Sequence, residues 1–291
     1  MGTFSRSLAL TKQSWSVLRA NPQLALFPLV SGIVTMLVMA SFAVPAFFMF
    51  INMKSKDQLG PEHYALMFAF YMVSYFVVIF FNSGLVSCAY ESLGGRPASF
   101  NEGMRVAFSR IGSIFVYALI AATIGMILKA ISERAGIIRS LISSFLGFAW
   151  TLLTYFVVPI LVVDNRSPVE AIKESGSMLK KTWGENITVN VSLNLIFTLL
   201  GLVAIIPLVG GIVVAGTTSM ALGLAMVFSS IVCILLLCLI SSTLTGVFQT
   251  ALYVYARTGQ LPASYDPSVV EYAFKQKKGG SNYPRFGRRD Y

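Results

Sequence analysis

Charged residues are scarce in this chain of 291 residues: only 12% are Asp, Glu, Lys or Arg, whereas a soluble domain typically has about 25%. Hydrophobic residues make up 56% of the chain. They gather into runs of roughly 20 residues, the length that crosses a bilayer as an α-helix. The runs do not alternate between polar and apolar residues, unlike the strands of a membrane barrel. The sequence therefore predicts an all-α, polytopic membrane protein.

Residues that carry catalysis or bind metals are also few. The chain has one histidine, His63, and three cysteines, of which Cys233 and Cys238 are five residues apart. That spacing matches no common metal or redox motif. The sequence contains no HExxH, GxSxG or P-loop motif. No charged residue lies deep inside an apolar run, which argues against a proton- or ion-coupled pump. We therefore predict a protein that is not an enzyme and has no cofactor or metal.

Six apolar runs are separated by polar segments. The runs predict transmembrane helices over residues 24–53, 64–90, 112–130, 140–163, 186–215 and 220–256. Each pair of runs follows a segment whose apolar side chains recur at helical spacing, at residues 3–20, 99–111 and 168–183. We interpret this order as three repeats of an amphipathic helix and a helical hairpin. Residues 1–256 then form the transmembrane domain with cytoplasmic-side interfacial helices, and residues 257–291 form a basic cytoplasmic tail with a short helix.

One motif marks the boundary between these repeats. The segment Tyr90–Phe100 recurs at Tyr255–Tyr265, with five identical residues at a constant offset of 165. Its glycine can take a positive φ, its proline ends the preceding helix, and its serine caps the next helix. Residues 99–102 and 167–170 both run from Ser to Glu, the pattern of a capping box. The motif predicts a joint between repeats, and a site for a ligand or lipid headgroup is the alternative.

The distribution of positive charge predicts the topology. With six spans, both termini lie on one side of the membrane, and 17 of the 22 Lys and Arg residues fall on that side. The positive-inside rule then places both termini in the cytoplasm. We interpret the net charge of +10 as a topological signal, so we predict a multi-pass protein of the cell (inner or cytoplasmic) membrane with no nucleic-acid partner.

A stripe of polar residues lies inside the fifth predicted span. Asn186, Asn190, Asn194 and Thr198 are spaced four residues apart, which places them on one face of a helix. Polar groups in hydrocarbon need partners, so this face should meet other helices or water. Asn82 in the second span is one candidate partner. The stripe predicts either hydrogen bonds between helices or a polar path through the membrane.

Five residues of the amphipathic segments are candidates for contacts at the membrane surface: Trp15, Arg19, Arg110, Lys181 and Trp183. Tryptophan favours the level of the headgroups, and basic side chains favour anionic lipid. The basic tail is a further candidate contact with anionic lipid. The alternative is that the segments pack on the protein's own loops.

Two carboxylates, Glu91 and Asp164, stand at the ends of the second and fourth runs. They occupy equivalent positions in the repeat. We expect them to pair with nearby arginines such as Arg96 and Arg166, and binding of a cation or a headgroup amine is the alternative.

Three segments have a familiar pattern: Phe4–Ser7 and Ser14–Arg19 at the start, and Ala251–Gly259 at the close. On these residues the chain resembles an uncharacterised family of bacterial and archaeal six-span membrane proteins. More loosely, the segment Pro168–Asn186 is similar to the cytoplasmic helix of membrane domains found with glycerophosphodiester phosphodiesterases. The resemblance implies the six-span architecture and brings no activity.

Two functions fit these features. The first is a non-catalytic integral membrane protein that organises lipid or a membrane-protein complex through its interfacial helices. The second is a channel or uncoupled small-molecule carrier with a polar path along the fifth span. We expect membrane lipids as partners, and a membrane protein or a second copy of the chain as further partners.

Overall fold

The computed structural model describes residues 14–51, 60–97, 99–133, 137–182, 186–259 and 262. For residues 50, 133, 137–140, 181, 182, 186–196 and 199 it describes the backbone alone. All secondary structure in these ranges is helical. The prediction of an all-α protein is therefore confirmed.

Ten α-helices and one short 3-10 helix follow one another in the described ranges. Helix α1 covers residues 14–20 and is followed by the 3-10 helix Pro22–Ala25. The others are α2 (Leu26–Ile51), α3 (Pro61–Leu93), α4 (Phe100–Ser109), α5 (Ile111–Glu133), α6 (Ile137–Leu153), α7 (Val157–Val163), α8 (Pro168–Thr182), α9 (Asn186–Thr217) and α10 (Met220–Thr258).

Six helical segments are long and apolar enough to cross a membrane. They are Pro22–Met49, Pro61–Leu93, Ile111–Ser132, Leu141–Val163, Leu200–Thr217 and Met220–Thr258. The six predicted spans are therefore confirmed in number and in place. The short helices α1, α4 and α8 lie at the predicted amphipathic positions, although the first is described only from residue 14.

The sixth span is one continuous helix. α10 has 39 residues, which gives a length of about 58 Å at 1.5 Å per residue, against a hydrocarbon core of about 30 Å. A run this long has to break, tilt or project beyond the bilayer. α10 does not break, so tilt or projection remains. Pro45 and Pro207 also lie inside unbroken helices.

The buried core lies towards one end of the bundle, where the C-terminal halves of α3 and α10 meet the short helices and α7. Its most buried large side chains include Leu24, Phe27, Val86, Leu93, Ile114, Phe156, Ile160, Leu161, Phe248, Leu252 and Tyr253. In contrast, much of α2, α6, α9 and the first half of α10 exposes large apolar side chains, among them Phe145, Ile206 and Phe228, each about 70% exposed. Such surfaces suit contact with acyl chains.

Helix α4 packs very closely on α3. A Cβ atom on Gly103 would stand 2.6 Å from Cys88 Sγ, 2.6 Å from Phe27 Cζ and 2.7 Å from the carbonyl oxygen of Gly84. The Cys88 thiol also donates to the Ser99 carbonyl oxygen at 3.0 Å. Only glycine fits at position 103, because any larger side chain would overlap these atoms. The backbone of α4 therefore lies in direct contact with the core.

The two predicted capping boxes differ in the structure. Ser167 and Glu170 form theirs: the Ser167 N–H donates to Glu170 Oε2 at 3.2 Å, and the Glu170 N–H donates to Ser167 Oγ at 3.4 Å. The bond from the Ser167 backbone N–H, followed by a bond from the Ser167 hydroxyl to the carboxyl, lowers the pKa of Glu170. Ser99 stands at the N-cap of α4 but makes no capping bond with its side chain. The capping box predicted at residues 99–102 is therefore wrong.

Candidate functional site: a polar layer and exposed short helices at one end of the bundle

The turn between α1 and the 3-10 helix is hydrogen-bonded to the joint between the first two hairpins. Asn21 Nδ2 donates to Ser92 Oγ at 2.7 Å, near the end of α3. Gln23 Oε1 accepts the Phe100 N–H at 3.0 Å. Gln23 therefore caps α4 from 77 residues away in sequence. This external acceptor satisfies the first N–H of α4, whereas the predicted box would have paired the Ser99 hydroxyl with the N–H of Glu102.

A second set of contacts ties the middle joint to both of its neighbours. Arg110, between α4 and α5, donates from Nη1 to Asn165 Oδ1, which follows α7. Arg257 near the end of α10 pairs with Asp164 at 3.5 Å and also with Glu174 of α8. The Asp164 side chain is 15% exposed and that of Arg257 is 42% exposed, so the pair is partly shielded and salt screens it less than a fully exposed pair. We call the residues Asn21, Gln23, Ser92, Arg110, Asp164, Asn165, Glu174 and Arg257 the polar layer.

The two carboxylate predictions have different outcomes. Glu91 pairs with Arg96 as expected. Asp164 instead faces Arg257, while Arg166 approaches Glu174 at 3.9 Å. The expected Asp164–Arg166 pairing is thus replaced by one that joins two spans. Sequence reasoning missed it because Asp164 and Arg257 are 93 positions apart in the chain.

Each of the three joints contains a residue in the left-handed backbone conformation. Gly95 has φ of 80°, Asn165 has φ of 53° and Gly259 has φ of 68°. Asn and Gly are the residues that adopt this conformation most readily. Gly94, which the sequence alignment matches to Gly259, has φ of −79°. The reversal in the first joint is therefore made one residue later than the alignment indicates.

The fourth span breaks at residues 154–156, inside the bundle. Pro159 has no N–H to donate to the Tyr155 carbonyl oxygen four residues earlier. Gln249 of α10 supplies the donor from its side-chain Nε2. The Phe156 N–H, which is no longer bonded inside its own helix, donates to Ser175 Oγ of α8 at 3.0 Å. α8 and α10 thus satisfy the two backbone groups that the break exposes.

The three short helices also share an outward-facing feature. Trp15 of α1 is 44% exposed, Phe108 of α4 is 57% exposed and Val169 of α8 is 53% exposed. An exposed basic residue lies one helical turn from each of them, at Arg19, Arg105 and Lys173 respectively. Residues three or four apart on a helix are neighbours on its surface. Each short helix therefore presents a large apolar side chain beside a positive charge. We call these three combinations the apolar–basic pairs.

Comparison with protein-family models places most of the chain in one family. Residues 62–263 match the model of a family of unknown function, DUF6159. The chain belongs to this family. The DUF6159 match covers α3 to α10, so it includes the polar layer from Ser92 to Arg257, whereas Asn21 and Gln23 precede it. No curated protein matches the chain.

The structure describes the side chains of two residues of the predicted polar path. Asn82 is half-buried between α3 and α10, with Oδ1 3.7 Å from where a Cβ on Gly246 would stand. Thr198 is exposed and lies in a groove between α9 and α10. Asn186, Asn190 and Asn194 fall within α9, but their side chains lie outside the described residues. The polar path along the DUF6159 chain stays a prediction.

The predicted surface residues are likewise divided. Trp15 and Arg19 are exposed on α1, as a headgroup contact requires. Arg110 is half-buried and reaches Asn165. The side chain of Lys181 and the whole of Trp183 lie outside the described residues. Arg105 and Phe108 on α4, which sequence reasoning did not select as a surface pair, take the corresponding exposed place. Their spacing of three residues was the available signal.

Groups that could hold a metal are missing from the described ranges: no cluster of three or more His, Cys, Asp or Glu occurs there. His63 instead accepts the Gly60 N–H at Nδ1, at 3.2 Å, and so caps the start of α3.

Proposed function

We propose that this DUF6159 protein is a non-catalytic multi-pass membrane protein that organises anionic lipid, or a membrane-protein complex, around its short helices. The observation that carries the proposal is the set of apolar–basic pairs. All three short helices expose such a pair, although each buries its opposite face in the core, for example at Val17, Ala107 and Ala171.

The chemistry of these pairs suits the headgroup region of a bilayer. An exposed aromatic or aliphatic side chain favours the boundary between headgroups and acyl chains. A basic side chain beside it can reach a lipid phosphate, and contributes about 1 kcal/mol near an anionic surface. A short helix with both groups therefore favours lipids with negative headgroups.

The proposal includes a location and an orientation. We infer that the protein lies in the cell membrane with both termini in the cytoplasm, because 17 of the 22 basic residues fall on that side. The cytoplasmic leaflet carries the anionic lipids that the apolar–basic pairs would contact.

We also propose that the architecture is a threefold repeat of one short helix and one hairpin. The left-handed residues Gly95, Asn165 and Gly259 support it, since each follows a span that ends at the polar layer. Ion pairs and hydrogen bonds between the joints would then fix the positions of the three units relative to one another.

The test replaces all three basic residues by glutamine, in Arg19→Gln, Arg105→Gln and Lys173→Gln combined. The full-length protein is purified from membranes and the retained phosphatidylglycerol is counted by native mass spectrometry, with phosphatidylcholine as the neutral reference. We expect the preference for phosphatidylglycerol to fall by several-fold. The matched control removes the same charge from the tail, at Lys275, Lys277 and Lys278. If the tail variant loses the preference and the triple variant keeps it, the short helices are not the lipid contact.

A channel or uncoupled carrier is the second candidate. The placement of Thr198 beside Ser241 and Ser242 in one groove favours it, because that groove continues the helical face of the predicted stripe. Asn190→Leu should abolish a solute flux into vesicles while the protein remains folded. Retained flux contradicts this candidate.

A further inference from the structure

The groove between α9 and α10 has the dimensions of a small ligand site. Its cavity volume is about 350 Å³, within the range of about 300–1,000 Å³ that small-molecule sites occupy. Its lining includes the apolar residues Phe197, Ile234 and Leu237 and the serines Ser241 and Ser242. Gly201 and Cys238 also face it. The lining is therefore mainly apolar, with the hydroxyl groups of Ser241 and Ser242 on α10 and that of Thr198 on α9.

The two serines differ from other hydroxyl residues of α10 in their hydrogen bonding. Ser230, Thr243 and Thr250 each donate to the carbonyl oxygen four residues earlier, at 2.8–2.9 Å. Within the part of the chain that the structure describes, neither the Ser241 hydroxyl nor the Ser242 hydroxyl makes a hydrogen bond. A hydroxyl in hydrocarbon normally bonds back to its own helix or to a partner. The groove thus contains two hydroxyl groups that are available to hydrogen-bond a molecule from outside the helix.

The surroundings of the groove indicate what that partner is. Leu200 and Leu202 on α9, and Leu235 and Leu236 on α10, are exposed large apolar side chains that flank it. The groove therefore opens on the surface that faces acyl chains. A molecule that enters from this side is itself largely apolar, and it needs a hydrogen-bonding oxygen to match the serines.

We propose that the groove between α9 and α10 binds one membrane amphiphile, with an ester or alcohol oxygen on the hydroxyls of Ser241 and Ser242 and a hydrocarbon chain along Phe197, Ile234 and Leu237. This site is separate from the apolar–basic pairs, and it requires no negative headgroup.

The experiment uses the full-length protein in nanodiscs of phosphatidylcholine that contain a phosphatidylcholine with a photoreactive diazirine in its acyl chain. After irradiation, mass spectrometry locates the labelled peptides. We expect labelling of residues 197–201 and 234–242 to exceed that of residues 220–232, which also expose large apolar side chains. Equal labelling along α10 overturns the proposal.

Two variants with matched controls test the groove directly. Gly201→Leu fills it, and Gly32→Leu adds the same side chain to α2; a Cβ meets nothing within 4 Å at either position. Gly201→Leu should reduce groove labelling about five-fold or more, and Gly32→Leu should not change it. The pair Ser241→Ala and Ser242→Ala removes the free hydroxyls and should reduce labelling by about five-fold, the value of one hydrogen bond. The control pair Ser229→Ala and Ser230→Ala removes hydroxyls that bond to Met226 within the helix.

Thiol chemistry distinguishes an amphiphile from water. Cys238 lines the groove, whereas Cys233 is exposed outside its lining. In Cys233→Ser and Cys238→Ser proteins, a charged methanethiosulfonate reagent should react equally slowly with the remaining exposed thiol. Selective rapid reaction of Cys238 means an aqueous path, which overturns the amphiphile proposal and favours the carrier.

Discussion

Replacement of Gln249 by leucine tests how the break in the fourth span is stabilised. Gln249 Nε2 donates to the Tyr155 carbonyl oxygen, and the usual helical donor four residues later is missing because residue 159 is proline. Gln249→Leu replaces the amide by an apolar side chain of similar volume and so removes the donor. Pro159→Ala supplies a backbone N–H four residues after Tyr155. The two substitutions therefore act on the same acceptor from opposite sides.

The expected magnitudes follow from the cost of an unpaired carbonyl. Hydrogen bonds between membrane helices contribute about 0.6 kcal/mol on average and up to about 1.7 kcal/mol. An interior carbonyl without any partner costs about 1–3 kcal/mol. We expect Gln249→Leu to lower the free energy of unfolding by about 1–2 kcal/mol. In the Pro159→Ala background the same change should cost about 0.5 kcal/mol or less, because the new N–H takes over the acceptor.

Equilibrium unfolding in mixed detergent micelles measures the double-mutant cycle. Thr250→Val is the control, since its buried hydroxyl bonds to Gly246 of its own helix and should show no coupling to position 159. An equal cost of Gln249→Leu in both backgrounds refutes the reasoning: Gln249 would then stabilise the protein by some contact other than the Tyr155 carbonyl.

Three further predictions are measured by thermal unfolding, the first two with a matched control substitution. Gly103→Ala should destabilise by about 1–3 kcal/mol through overpacking, whereas Gly112→Ala, where nothing lies within 4 Å of the new Cβ, should be neutral or stabilising. Gln23→Ala should cost about 1 kcal/mol as a lost cap, and Ser99→Ala should cost little; the reverse order contradicts the assignment. The pKa of Glu170 is lowered on folding, so its stabilising effect should persist above the unfolded value of 4.5 and disappear as pH falls through the lower folded value. A glutamine variant that retains this pH dependence contradicts it.

The spans were predictable because composition alone decides them. An apolar run such as 220–256 has one stable arrangement in a bilayer, a helix, and the structure extends it only to Thr258. The capping box at Ser167 and Glu170 was predictable for a similar reason, since all its atoms lie within four residues.

The remaining features depend on contacts between distant parts of the chain. Pro159 shows from sequence alone that Tyr155 lacks its usual helical donor, but the side chain that donates instead is 94 positions away. Ser99 matched a capping pattern, yet Gln23 supplies the acceptor from 77 positions away. Local sequence shows which backbone groups need a partner, and only the packing of helices shows which side chain answers the need.

The 3-10 helix at Pro22–Ala25 and helix α10 meet on α3, and this contact has a consequence for biogenesis. The 3-10 helix near the start of the described chain and the second half of α10 both pack on α3 and on each other. Leu24 and Phe27 are buried there together with Phe248 and Leu252. These partners are more than two hundred residues apart in the chain, so the ribosome synthesises them at different times. Until α10 is inserted, the earlier hairpins lie in the bilayer without the helix that packs on that side of α3. Insertion of each hairpin is a local event, but closure of the core is reserved for the last span. Truncation before α10 should therefore yield an inserted but loosely assembled protein that quality-control proteases remove.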